Sequence, residues 1–232
     1  HAPVQIIHWI QNVEGSGYTE YQSSSQQGVI GETYTAAWQN IEGFHSNEAK
    51  SNVTGKLTSD GLILNLYYDR DLVNYTFYFK DELTGSSIAD PVTGTARYGA
   101  QVIENAKTID GYRLKAGTEN PKALILGTEK NEFTFYYVGY FNVVHVQGEP
   151  VSRPDEVIIT QSIRENGYEL TDQVTSGYLY GGTFADAACQ TVYPFSQGEN
   201  GLSFAPEAGK TYYIWEVDQK YLAPKTFCIW LT

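Results

Sequence analysis

The chain has 232 residues, of which 18% are charged and 14% aromatic, with 19 tyrosines, 22 glycines and a formal net charge of −12. That length can bury a sizeable core, and a single domain over 1–232 is the expectation. The acidic balance excludes a basic nucleic-acid binder and disfavours anionic membrane surfaces, and the low charged fraction with many rings excludes a coiled coil or an acidic disordered tail.

Short β-branched and aromatic runs broken by Gly, Asn, Asp and Pro predict a multi-stranded all-β protein. In chain order the predicted strands are 4–12, 29–38, 61–68, 74–80, 98–105, 111–115, 133–146, 177–185, 210–217 and 226–231. These suffice for two packed antiparallel sheets. In 75–80 and 133–137 both strand faces carry large side chains, so one face is expected to line a groove; ordinary amphipathic cover of a sandwich is the competing account. One short helix is predicted over 157–166, where Arg153-Pro154-Asp155-Glu156 supplies a proline near the first turn and acids at the positive helix end. No linker, low-complexity tract or internal repeat stands out; the likeness of 31–37 to 182–188 is what chance produces between strands.

No apolar run approaches the roughly 18 residues of a membrane span. The chain contains no methionine and opens at His1, which reads as a processed, secreted chain whose signal has been removed. Asn52-Val53-Thr54 and Asn74-Tyr75-Thr76 are acceptors for N-glycosylation in a eukaryotic secretory source. Cys189 and Cys228, an even pair at wide spacing without clustered histidines, point to a disulfide pinning the last strand.

Four stretches in order carry a resemblance: Gly31-Glu32-Thr33-Tyr34-Thr35-Ala36-Ala37-Trp38-Gln39-Asn40 with Gly43-Phe44; Ser59 to Tyr68 followed by Leu72-Val73 and Tyr75-Thr76-Phe77-Tyr78-Phe79; Asp110-Gly111-Tyr112-Arg113-Leu114, Asn120-Pro121 and Phe133 to Val138; and Gly209 to Asp218. Together they resemble the jelly-roll xylanases of glycoside hydrolase family 11. The resemblance implies a two-sheet jelly-roll β-sandwich with a glycan-facing cleft, and an insertion around 148–207. It also implies a retaining carboxyl pair about 5 Å apart, with Asp218 as acid/base and Asp81 or Glu82 as nucleophile. The family's glutamates are not kept: Phe79 or Asp81 stands at the nucleophile position and Asp218 at the other. Pro121-Lys122-Ala123 replaces the thumb's Pro-Ser-Ile, and Gly117 or Glu119 stands where an arginine is expected.

The expectation is therefore a secreted protein that binds a neutral or weakly charged oligosaccharide or polysaccharide by stacking, with lost or altered catalysis and no cofactor. Trp38, Tyr67, Tyr78, Phe135, Tyr137 and Trp215 are the expected cleft rings, and Trp9 and Trp230 are assigned to the core. Three alternatives remain open. Asp81 and Glu82 also read as a solvated turn before Leu83-Thr84-Gly85, against their role in an endo-glycosidase. His1 could hold copper through its amino group and ring nitrogen with a second histidine from among His8, His45 and His145, as in a histidine brace. A structural or storage glycoprotein would use its rings only as core.

Overall fold

The computed structural model describes residues 1–147, 157–162, 168–169, 176–191, 196–198, 201–204 and 206–218. Among these every regular element is a strand: β1 (Ala2–Gln11), β2 (Tyr18–Gly28), β3 (Thr33–Thr35), β4 (Phe44–Ser46), β5 (Thr54–Lys56), β6 (Leu62–Arg70), β7 (Leu72–Asp81), β8 (Ser87–Arg97), β9 (Gln101–Glu104), β10 (Tyr112–Leu114), β11 (Lys122–Ile125), β12 (Asn131–Gln147), β13 (Val157–Ser162), β14 (Tyr168–Glu169), β15 (Tyr178–Phe184), β16 (Ser196–Gly198), β17 (Gly201–Phe204) and β18 (Thr211–Asp218). The fold is all-β, as the sequence predicts. Two compact units form, one from 1–78, 90–106 and 119–134, the other from 79–89, 107–118 and 135–232.

In the first unit a four-stranded sheet runs β2-β1-β6-β4, and β3 pairs with β5 in a separate two-stranded sheet. Strands alternate their side chains between faces, and β6 follows this strictly: Leu64, Leu66 and Tyr68 are buried while Asn65 and Tyr67 are only partly covered. The buried row joins Ala36 and Ile41, with Ile6, Ile10, Tyr34, Trp38 and Val53 packed around it, so the core lies between the two sheets as in a β-sandwich. Each fully buried Leu or Tyr here contributes about 1.5–3 kcal/mol of transfer free energy. Two other β-pairs complete the described sheets outside the larger one: β9 with β11, and β14 with β17, which also takes β16.

The larger sheet has the order β15-β18-β12-β7-β8, with β10 and β13 also paired to β12. Its core is aromatic, with Phe77, Phe79, Phe135 and Tyr137 all buried to within about 1%. The Phe79 and Phe135 rings stack with centroids 5.5 Å apart.

The structure departs from the sequence expectations in several places. The segment predicted to be helical begins as strand: Val157–Ser162 pairs antiparallel with β12 from His145↔Val157 to Tyr140↔Ser162, because its run of β-branched residues suits a pleated ladder better than a helix; 163–166 lie outside the described residues. The sheets are not wholly antiparallel, since β1 runs parallel to β6 and β12 parallel to β18. The polar strand β2, rich in Ser and Gln, lacks the β-branched signature and is not predicted at all, and β4, β5, β8, β11, β14, β16 and β17 also fall outside the predicted strands. The predicted strand 226–231 falls outside the described residues.

Two buried polar residues need partners, since an unpaired one costs about 1–3 kcal/mol. His8 is 6% exposed and Tyr68 1%, and His8 Nδ1 lies 2.8 Å from the Tyr68 hydroxyl. The Gln39 backbone N–H donates to that hydroxyl at 2.9 Å. Burial pushes the His8 pKa below its ordinary value of 6.5. At neutral pH folded and unfolded chains both carry the neutral ring, so nothing is lost; as pH falls through 6.5 the unfolded chain takes up a proton first and the folded state loses stability. Scanning thermal unfolding from about pH 7.5 to about pH 5 is expected to show a fall in Tm that is smaller in His8→Phe; equal slopes would remove His8 from the account.

Turn glycines set where strands begin. Gly111 precedes β10 with φ of 76°, and a Cβ there would stand 2.2 Å from the Gly209 backbone nitrogen. Gly117 has a comparable φ of 81° but open space around it. Gly111→Ala is expected to cost about 2 kcal/mol or more in urea unfolding, and Gly117→Ala only about 1 kcal/mol, the strain of the left-handed backbone alone. Equal costs would mean that the close approach of Gly111 to Gly209 adds nothing.

Candidate functional site

The outward face of the first unit's sheet carries three rings that the pairing register brings together. β1 and β6 place Trp9 opposite Tyr67, and β1 and β2 place Gln11 opposite Tyr18. The Trp9 and Tyr67 rings lie nearly parallel, 14° apart with centroids at 6.1 Å. Tyr18 meets Tyr67 edge-on at 4.9 Å. A bulge between His8 and Trp9 shifts the β2 register by one residue, which is what a bulge does to re-aim side chains.

Polar groups surround the rings. Trp9 Nε1 donates to Asn65 Oδ1 at 2.9 Å. The Tyr18 hydroxyl donates to Asp69 in a short hydrogen bond, and Asn47 Nδ2 donates to the other Asp69 oxygen at 2.8 Å. Burial, then the hydrogen bond and charge of Asp69, hold the Tyr18 phenol above its usual pKa of 10.0, so it stays a donor at neutral pH. The loop after β4 arches over β6: Asn47 N–H donates to Tyr67 O at 2.8 Å, and Tyr67 N–H donates to Ser51 Oγ at 2.8 Å. This loop brings the Lys50 ammonium to 5.2 Å from the Tyr18 centroid and 5.1 Å from that of Tyr67. The result is a half-exposed aromatic ledge bordered by a carboxylate, two amides and an ammonium.

The expected cleft rings divide. Tyr67 belongs to the ledge. Tyr78 is half-buried on β7, with its neighbours Phe77 and Phe79 in the core. Phe135 and Tyr137 are core residues, 0% and 1% exposed, and the Tyr137 hydroxyl is used up in donating to Lys107 O at 2.9 Å. Trp38 packs edge-on against Tyr68 at 5.2 Å, on the core side. Trp215 is half-buried on β18. Trp9, assigned to the core, stands instead on the outward face, and Trp230 lies outside the described residues. Tyr18, Asn47, Lys50, Asn65 and Asp69 were not singled out. The alternation in β6 exposed two faces, but with Leu on one and rings on both, only the partner sheet decides which is inside.

The expected carboxylates have other employment. Asp81 Oδ1 accepts from Leu83 N–H at 2.9 Å and so closes the turn; after burial, its charge helps hold the Tyr112 phenol above its usual range. Glu82 forms an exposed ion pair with Lys115. Asp218 ends β18 opposite Tyr178. Glu216 is fully buried, and its Oε1 lies 2.5 Å from His145 Nδ1.

His1 Nδ1 is 3.1 Å from Gly28 O, and His45 pairs with Asp71 at 2.8 Å. Among the described residues no three His, Cys, Asp or Glu side chains gather as a metal site. Asn52 uses its amide within the fold, donating to Ile63 O and accepting from Asn65 N–H, each at 2.9 Å. Asn74 accepts from Thr95 Oγ1 at 2.7 Å. Cys189 has a left-handed φ of 56°, and Cys228 lies outside the described residues.

Comparison with known proteins corrects the xylanase resemblance. The MucBP domain matches residues 11–69 and again 74–138, and these two consecutive copies also overturn the expectation of a chain without internal repeats. The chain is 28% identical over 114 residues to Internalin J of Listeria monocytogenes serotype 4b (strain F2365), covering 48% of this chain and 12% of that protein. It is 25% identical over 187 residues to Internalin J of Listeria monocytogenes serovar 1/2a (strain ATCC BAA-679 / EGD-e), covering 78% of this chain and 20% of that protein. The chain thus spans a fifth or less of these relatives. A solved structure, the Bacillus anthracis TIE protein, aligns over 93% of this chain and 50% of its own at 9% identity, with a TM-score of 0.41 that carries no fold argument. The shared stretches with the xylanases were strand texture common to aromatic β-proteins, whereas the two copies account for more than half of the residues. The chain belongs to the MucBP domain family.

Proposed function

We propose that the chain is a surface-associated binding protein whose first unit takes a neutral or weakly charged saccharide of mucin type on the Trp9–Tyr67–Tyr18 ledge. The observation that carries this reading is the pair of nearly parallel, half-exposed rings standing beside Asp69, Asn65 and Asn47. A pyranose offers an apolar face of C–H groups and an equatorial belt of hydroxyls; rings take the first, and carboxylate and amide groups take the second. Family membership and the internalin relatives support a secreted or cell-surface location, and the name MucBP itself denotes mucin binding. The net charge of −12 favours uncharged glycans over sulfated ones.

The test is binding to a sensor coated with gastric mucin stripped of its sialic acids. Wild-type protein is expected to bind, and the double variant Trp9→Ala, Tyr67→Ala to lose about tenfold or more in affinity, equivalent to roughly 1.4 kcal/mol. Ile125→Ser, at a position 76% exposed and remote in sequence from the ledge, serves as the control for surface change. Undiminished binding by a double variant with native near-UV circular dichroism, or no binding by the wild type, would overturn the reading.

A further inference from the structure

Three places in the chain repeat one arrangement of strands. Gly43, Gly111 and Gly177 have φ of 77°, 76° and 89°, and each is followed by a ring, Phe44, Tyr112 or Tyr178, that opens a strand. The strand so opened pairs antiparallel with a later one in the same register each time. Phe44 lies opposite Arg70 and Ser46 opposite Tyr68; Tyr112 lies opposite Gly139 and Leu114 opposite Tyr137; Tyr178 lies opposite Asp218 and Tyr180 opposite Glu216. Tyr68, Tyr137 and Glu216 therefore hold one equivalent position, and all three are buried polar residues.

The first strand of the arrangement agrees. In the parallel ladder of β1 and β6, His8 registers with Leu66, two residues before Tyr68. In that of β12 and β18, His145 registers with Ile214, two residues before Glu216. His8 bonds the Tyr68 hydroxyl, and His145 bonds the Glu216 carboxylate. Between them, Phe79 lies beside Phe135 and Tyr137. The small accessory pairs β3–β5, β9–β11 and β14–β17 recur in the same chain order, and β13 stands to β12 as β2 stands to β1, antiparallel and adjacent.

We propose that the segment from Tyr140 to Asp218 is a third, divergent copy of the module, beyond the two matched at 11–69 and 74–138, and that each copy presents one outward ring at the same strand position: Tyr67, Tyr136 and Trp215. A relative aligned over 187 residues reaches past residue 138, as a third copy requires. Tyr136 is 42% exposed. Trp215 leans over Gly181, where a Cβ would come within 2.6 Å of its Cε3, so the ring needs a glycine beneath it. The third copy evades recognition because its signature is a pairing register and a buried polar position, filled here by an acid and histidine instead of tyrosine and histidine. The ring assignment rests on the saccharide reading above and makes the ligand a multivalent one, a chain or brush of glycans held at three equivalent points.

Two measurements on the full chain separate these statements. The first exchanges the buried pair of the third copy for that of the second, by His145→Phe and Glu216→Tyr. Each single substitution is expected to lower the urea midpoint, and the double to recover most of the loss, because Phe and Tyr already fill those positions at Phe79 and Tyr137. A double variant as unstable as the sum of the singles overturns the third copy. The second measures binding to the desialylated mucin sensor for Tyr136→Ala and Trp215→Ala, each expected to raise the dissociation rate severalfold. If those two bind like wild type while Trp9→Ala, Tyr67→Ala is impaired, the first unit alone binds and the three-point assignment fails while the proposed function stands. If the wild type binds no mucin, the proposed function and the ring assignment fail together, and the pair exchange still decides the third copy.

Discussion

The parallel ladder between the first and last strands of a module, running from Val4↔Leu62 to Ile10↔Tyr68 in the first unit, is the constraint on which the other features depend. Bringing together strands separated by some fifty residues of chain carries a loop-closure cost that grows only slowly with length. Burial of Leu64, Leu66 and Tyr68 against Ala36 and Ile41 offsets it. Because side chains alternate, the register that buries those residues also turns Trp9, Asn65 and Tyr67 outward. A slip by one residue would bury the ledge and expose the core, so the proposed binding surface and stability are two faces of one pairing.

The same ladder sets a recurring polar position in the interior. Tyr68 is satisfied by His8 and by the Gln39 N–H, Tyr137 by the Lys107 carbonyl, and Glu216 by His145. The three solutions differ in chemistry and partner, and Tyr68, Tyr137 and Glu216 are each hydrogen-bonded as burial demands, while His145 Nε2 is buried without a partner among the described residues. A buried acid–histidine pair of the Glu216–His145 kind is weak support for stability, because the desolvation of both groups offsets their attraction, whereas losing one partner leaves an expensive group behind. Such positions discriminate strongly between the paired native arrangement and alternatives that would leave them unsatisfied.

At the ledge, order comes from the loop after β4 rather than from the strands alone. Asn47 links the loop to Asp69 and to the Tyr67 backbone, and Ser51 caps the Tyr67 N–H. These bonds hold Lys50 over two rings and fix the Asp69 carboxylate between two donors. Groups held this way would give up little further freedom to a ligand at the proposed site, which lowers the entropic cost of binding.

The sequence by itself determined the all-β class. Runs such as Leu62 to Tyr68 and Phe133 to Tyr137, punctuated by Gly, Asp and Asn, suit strands, and the glycines ahead of Tyr112 and Tyr178 mark starts where the backbone is left-handed. It also named Tyr67 as a ring to watch. Tertiary structure alone decided the rest. Whether Phe135 and Tyr137 or Trp9 and Tyr18 face solvent depends on which side the partner sheet covers, and local alternation is symmetric between the two. Pairing direction is likewise silent in a single strand, so the parallel ladders were illegible. The β-branched run of Val157 to Thr160 follows a proline and acids that also suit a helix start, and the ladder waiting on β12 settled it as strand. The modular repeat stayed hidden because what recurs is register and burial, and a register exists only between strands that have already met.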